Sequence, residues 1–159
     1  MSIGTNGAPT NARFRCYGNA SADFNFGSQT NSGNNAFVVF NQSTVGVYLV
    51  SGNTSWTATS DERVKDIIEP IENASEKVSG LRAVIGKYKT DEEDVRRSFL
   101  IAQDVQSVFP EAVSVSPDEN GTLGLQYTEL IPLLVAAIKE QQAIIQQLQA
   151  DVAALKGQA

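Results

Sequence analysis

The chain has 159 residues, 42% of them hydrophobic, with 12 basic and 18 acidic side chains and a net charge of -6. That length holds one domain or two small ones, and the acidic balance argues against a nucleic-acid partner. Histidine is absent and Cys16 is the single cysteine, which removes Ser-His-Asp and Cys-His nucleophile systems, an intrachain disulfide and a thiolate zinc site.

No metal and no cofactor is therefore expected. No run approaches the roughly 18–20 apolar residues of a membrane span, so no membrane partner is expected, and residues 1–15 lack the apolar core of a signal peptide. The Gly/Asn/Thr-rich run after Met1 reads as the interior of a longer protein.

Residues 1–59 carry only three charged side chains, Arg13, Arg15 and Asp23. Ala12–Tyr17 and Asp23–Phe26 alternate with period two, and Ala36–Phe40 and Thr44–Val50 are two further strand candidates. Gly27 to Asn35 and Asn41 to Ser43 have turn chemistry. Strands this short hold too little apolar mass to close a core, and with no disulfide available the expected remedy is packing against other copies of the chain.

From residue 60 the texture changes to charged, helix-forming segments. Residues 61–79 are helix-compatible, with Pro70 ending or restarting any helix. Leu81 to Tyr88 reads as a strand, Thr90 to Asp94 as an acidic loop, and Ser98 to Val105 as an apolar run that turns helical before Pro110. Val113–Ser116 and Leu123–Tyr127 read as paired strands about the turn Pro117–Gly121.

One helix is expected over about 128–156, with Pro132 tolerated in its first turn. Ile131, Ile138, Ile145 and Val152 recur every seven residues, interleaved by Leu134, Gln141, Leu148 and Leu155. An amphipathic helix packed on its own domain and a parallel coiled coil between identical chains both fit; the strict seven-residue repeat favours the coiled coil. β-Branched a positions with leucine at d lean towards dimers, while a polar Gln141 at d helps to set register and state.

Ser60-Asp61-Glu62-Arg63-Val64-Lys65 stands at the junction of the two textures. A serine hydroxyl needs a base to become a nucleophile. Without histidine, a neutral lysine can serve, if burial or a nearby cation such as Arg63 lowers its pKa. Five residues turn through about 140° on a helix, so Lys65 reaches Ser60 only if the link between them is extended or turning. The alternative is purely structural: Ser60 as a helix N-cap, acids in the first turn, and Lys65 solvated.

The region from Ser60 to about Leu155 resembles the self-cleaving intramolecular chaperone domain at the C-terminus of phage tailspikes and tail fibres, including endosialidases. Ser60 to Ile68 is similar to its opening Ser-Asp-x-Arg-hydrophobic-Lys motif. Ile101-Ala102-Gln103-Asp104-Val105, followed by Val108-Phe109-Pro110-Glu111-Ala112-Val113, resembles its central signature. Tyr127, Leu130 and Leu133 to Glu140 resemble its closing segment. Phe99 stands where the family often has glycine, and Lys89-Thr90 where an aromatic is common; both bear on packing more than on the Ser–Lys pair.

The resemblance implies an α+β fold: a short β-rich fibre segment at 1–59, then a small mixed domain at 60–159 ending in a long coiled-coil helix, the whole an intertwined homotrimer. It implies a chaperone that holds fibre strands in register and then cuts itself off, a single-turnover serine endopeptidase with Ser60 as nucleophile and Lys65 as base. Asp61, Glu62 and Arg63 are candidates for orienting the site or tuning Lys65, and Gln103 for a polar partner. The scissile bond is Thr59–Ser60 or Ser60–Asp61. The implied partners are other copies of the chain, the upstream fibre and a host-surface glycan or receptor. The implied location is a virion tail fibre or tailspike assembled in the host cytoplasm, with the chaperone released after the cut. A non-cleaving trimerisation module and a receptor-binding fibre tip are the alternatives. For the tip, the exposed contacts would come from Phe14, Tyr17, Phe24, Phe26, Phe37, Phe40, Tyr48 and Trp56.

Overall fold

The structure, a computed structural model, describes residues 13–16, 24–31, 34–40, 46–116 and 118–157, with side chains at 36–39, 46–116 and 118–157. It is mixed α and β, with small sheets and a long C-terminal helix. The chain divides into two compact units, 1–68 and 69–159.

The first unit is a five-stranded antiparallel meander in sequence order: β1 (Arg13–Cys16), β2 (Phe24–Asn31), β3 (Asn34–Phe40), β4 (Gly46–Val50) and β5 (Thr57–Ala58). Strand β2 is longer than its alternation suggests. Gly27 to Asn31, expected in a turn, pair with β3 from Gly27↔Val38 to Asn31↔Asn34. Seven consecutive cross-strand pairs override the weak strand propensity of glycine, serine and asparagine. The expected turn at 41–43, both ends of the expected first strand, Cys16 as a side chain and the rings of Phe14, Tyr17, Phe24, Phe26 and Phe40 lie outside the described residues. Among the described side chains of this unit Val38 alone is buried. Trp56, half exposed, meets Phe37 edge to face at 5.7 Å. The turn after β4 closes with Asn53 N–H donating to the Val50 carbonyl at 2.9 Å, and Gly52 supplies the φ of 89° it requires.

Residues 65–73, across the boundary at 68/69, have no regular structure. The helix expected somewhere in 61–79 is confined to α1 (Ala74–Ser79). Pro70 disfavours helical backbone at Glu69 and supplies no N–H of its own, and Asn73 then takes a left-handed φ of 53°. Two hairpins follow: β8 (Val113–Val115) pairs with β9 (Leu123–Leu125) as expected, with trimmed ends, whereas β6 (Ala83–Gly86) pairs with β7 (Arg97–Leu100), a strand where the sequence reads only an apolar run turning helical. Gly121, at φ 60°, completes the second turn, where Asp118 accepts from Thr122 N–H at 2.9 Å.

Helix α2 (Ala102–Val108) runs into Pro110, and α3 (Leu130–Gly157) begins two residues before Pro132, where its missing N–H costs nothing. The core is Ala74, Val105, Phe109, Ala112, Leu130, Leu133 and Ala137. Helix α3 contributes Leu130, Leu133 and Ala137 to it, one stripe at helical spacing laid against α1.

Candidate functional site: the Ser60–Lys65 turn

Strand β5 leads directly into the site. Its pairing with β4 continues one residue further, through Thr59 N–H donating to the Gly46 carbonyl at 2.9 Å. The backbone just before Ser60 is thereby fixed to the sheet.

The next residues turn sharply. Asp61 is extended (φ -74°, ψ 132°), Glu62–Val64 form a single 3-10 turn, and Lys65 is extended again (φ -127°, ψ 139°). The turn is held by Val64 N–H to the Asp61 carbonyl at 3.2 Å and Lys65 N–H to the Glu62 carbonyl at 3.0 Å. Asp61, not Ser60, caps it: its Oδ1 accepts from Arg63 N–H at 2.9 Å. The outcome is a chain reversal that brings Lys65 Nζ to 2.9 Å from Ser60 Oγ, the amine donating. A turning link is what the spacing demanded, and a continuous α-helix would have separated the two groups.

Arg63 folds back onto Asp61, with Nε 3.0 Å from Oδ1 and Nη2 2.6 Å from Oδ2. The Arg63 guanidinium, together with the Arg63 backbone N–H, holds the Asp61 carboxyl below the usual carboxylate range, and Asp61 raises Arg63 in return. The pair braces the turn from outside, and the Arg63 charge is engaged with Asp61. Glu62 contributes its backbone carbonyl. Gln103 lies exposed on α2 in the second unit, with no side-chain hydrogen bond among the described residues. Ser60 and Lys65 are both exposed in the single chain, and so are Ile67 and Ile68 just beyond, Ile68 at 92%.

A second feature lies on α3. Ile131, Leu134, Ile138, Ile145, Leu148, Val152 and Leu155 are all exposed, as is Gln141 between them. The other flank of the helix is occupied. Glu140 Oε1 and Oε2 accept from Ala74 and Ser75 N–H at 2.8 Å each, and Ser75 Oγ donates to the Ala137 carbonyl at 3.1 Å. These bonds cap α1 from a residue 66 positions away, and the two backbone donors, Ser75 first, hold the Glu140 carboxyl below its usual range. Sequence reasoning gave Glu140 no role; its signal is its place one turn beyond Leu133 and Ala137 on the core-facing stripe. Tyr127, expected at the end of a strand, instead opens the 3-10 turn Tyr127–Glu129, and its hydroxyl accepts from Leu100 N–H of β7 at 3.1 Å.

Among the described residues no group of His, Cys, Asp or Glu could hold a metal ion, and no helix is long and apolar enough to cross a membrane. Residues 60–114 match the model of a peptidase family described as chaperone of endosialidase. The match opens on Ser60 itself, so the resemblance read from the motifs holds over this stretch. The chain is also similar to long tail fiber protein Gp37 of Escherichia phage AR1, 41% identical over 87 residues, 51% of this chain and 8% of that protein. It is similar to long tail fiber protein Gp37 of Enterobacteria phage T2, 36% identical over 98 residues, 58% of this chain and 7% of that protein. The chain thus spans less than a tenth of the length of these curated relatives.

Proposed function

We propose that this chain is the end of a phage tail fibre joined to its assembly chaperone, and that the chaperone is cut free at Ser60 by a Ser60–Lys65 dyad. The observation that carries this reading is the 2.9 Å contact between Lys65 Nζ and Ser60 Oγ, at the residue where the family match begins. The functional boundary is accordingly 59/60, with the fibre before it and the chaperone after.

In the proposed reaction a neutral Lys65 takes the Ser60 hydroxyl proton and the oxygen attacks a backbone carbonyl. Attack on the Thr59 carbonyl closes a five-membered ring. The C–N bond then breaks, the Ser60 nitrogen takes the proton back from Lys65, and an ester is left. Water hydrolyses that ester to a Thr59 carboxylate and a free Ser60 amine. Attack by Ser60 on its own carbonyl would close a strained four-membered ring, so a cut at Ser60–Asp61 calls for a hydroxyl from another copy or for water. Asp61 and Arg63 act by holding the turn.

Lys65 must shed its proton to work, and desolvation favours the neutral amine. In the single chain the site is open to water, so assembly into a homotrimer through the α3 seam is the proposed step that covers it. The same assembly raises the local concentration of the three fibre ends, whose interchain pairing is otherwise slow and prone to slip. A tail fibre of the virion is the proposed location.

Intact mass of freshly expressed chain, with Ser60→Ala and Lys65→Ala alongside, tests the reading. Two fragments from the wild type and one intact chain from each variant are expected, and the fragment masses assign the bond. An assembled wild type that stays whole on prolonged incubation would leave a clamp without protease activity.

A further inference from the structure

The hydrogen bonds that shape the Ser60–Lys65 turn all lie on one side of the Thr59–Ser60 bond. Val64 N–H donates to the Asp61 carbonyl and Lys65 N–H to the Glu62 carbonyl. Arg63 reaches the Asp61 carboxylate through its backbone N–H and its guanidinium, and Lys65 Nζ donates to Ser60 Oγ. Each of these bonds joins two residues within 60–65. The tie to the sheet, Thr59 N–H to the Gly46 carbonyl, lies on the other side. A cut at Thr59–Ser60 therefore removes the sheet and leaves the pair its bracing. It also adds a group, because Ser60 becomes an N-terminal residue with its amine and its hydroxyl on adjacent carbons. The chain has no histidine, and its one cysteine, Cys16, stays with the part before the cut. Residues 60–159 thus offer an activated acyl group no thiol and no imidazole.

We propose that the released chaperone keeps an acyl-accepting site at Ser60, which takes the acyl group of a small thioester and ends with it on the new Ser60 amine. This rests on the reading that the chain is cut at Thr59–Ser60 and adds a second reaction for the same turn. Lys65 takes the Ser60 hydroxyl proton and Oγ attacks the thioester carbonyl. The C–S bond breaks, and the thiolate leaves with the proton from Lys65. The Ser60 nitrogen then attacks the resulting ester through a five-membered ring. The C–O bond breaks, the proton lost by nitrogen passes to Oγ, and an amide remains. The net change is one thioester and one amine to one amide and one thiol. The last step is the ring closure of the proposed cut run backwards, with the donor's carbonyl in the place of the Thr59 carbonyl. Base, hydroxyl and amine stand on one short turn, so the transfer to nitrogen is intramolecular. An α-amine ordinarily titrates at about 8, which leaves a useful share of it neutral and nucleophilic at neutral pH. Departure of the part before the cut also vacates the place of the Thr59 carbonyl, so a small donor can enter there.

The test starts from wild-type chain that has cut itself, with its C-terminal product isolated and identified by mass as beginning at Ser60. The product is mixed with S-phenyl thioacetate at neutral pH, and the reaction is followed by thiol release and by peptide mass mapping. One acetyl group is expected on Ser60 ahead of every lysine, and it should resist hydroxylamine, which strips an ester and spares an amide. With Lys156 as the internal reference, Ser60 should react about tenfold faster in the folded product than in the same product in denaturant, where the turn is lost. The product of Asp61→Ala chain, collected over a longer time, lacks the cap and should fall towards the denatured rate, while that of Asp61→Asn should stay near wild type. Equal relative rates in folded and denatured product, or acetylation of lysines ahead of Ser60, overturn the proposal and leave the cut standing. A product that begins at Asp61, or a wild-type chain that never cuts, overturns the reading of the bond and the proposal with it.

Discussion

The two compact units keep dry very different amounts of themselves. In the first, Val38 is the one buried side chain among those described, and the sheet is a single layer. In the second, seven residues from α1, α2, α3 and the segment between them close a core. A single sheet layer has a face to cover and an edge strand to protect, and both needs are met most simply by other copies of the same chain. The second unit closes a core of its own, and its longest run of exposed apolar side chains lies along α3. The contrast separates a unit that closes a core from its own contacts from a strand unit whose described side chains close none.

The sharpest way to break the contrast is inside the core. Leu133→Ala is expected to destabilise the second unit by about 2–5 kcal/mol, read by chemical denaturation. Next come changes on the outer row. Ile138→Ser with Leu148→Ser is expected to abolish assembly by light scattering while the core residues stay packed. Helical signal should fall as well, because residues 141–157 are exposed throughout and an isolated helix of that length is marginal in water.

Glu140→Gln removes the charge from the clamp on α1 and is expected to lower the melting temperature at neutral pH. Folding holds the Glu140 carboxyl below its usual range. Its contribution is therefore complete above the unfolded value, about 4.3, and is lost as pH falls through the lower folded value. The gap in melting temperature between wild type and variant should close in that acid window, and a constant gap would deny the carboxylate its part. Smallest of all, Asp61→Asn keeps an oxygen for the Arg63 N–H and should slow cleavage by less than about tenfold, whereas Asp61→Ala loses the cap and should slow it further. Time-resolved intact mass distinguishes the two.

Much of this was legible because it is periodic or punctuated. The heptads of α3, the β8–β9 hairpin, the stop at Pro110 and the tolerated Pro132 in the first turn of α3 follow from spacing and backbone chemistry. What escaped was decided across distance. Gly27 to Asn31 look like a turn and become strand because β3 lies beside them. Thr57–Ala58 is too short to announce itself and exists by pairing with Val47 and Tyr48. At the site, spacing could say only that a helix would part Ser60 from Lys65. That a capped 3-10 turn closes the gap depends on Asp61 reaching back over Arg63, a local contact that composition does not reveal. The Glu140 clamp spans 66 residues and lies beyond any local pattern.

That clamp also bears on what the proposed cut would release. Every residue of the second unit's core, and both ends of the Glu140 bridge to α1, lie after Ser60. The proposed cut flanking Ser60 would break no contact among them, so the fragment it released would be a finished object. It should persist in a lysate as a compact, protease-resistant by-product, a durable receipt for each fibre completed.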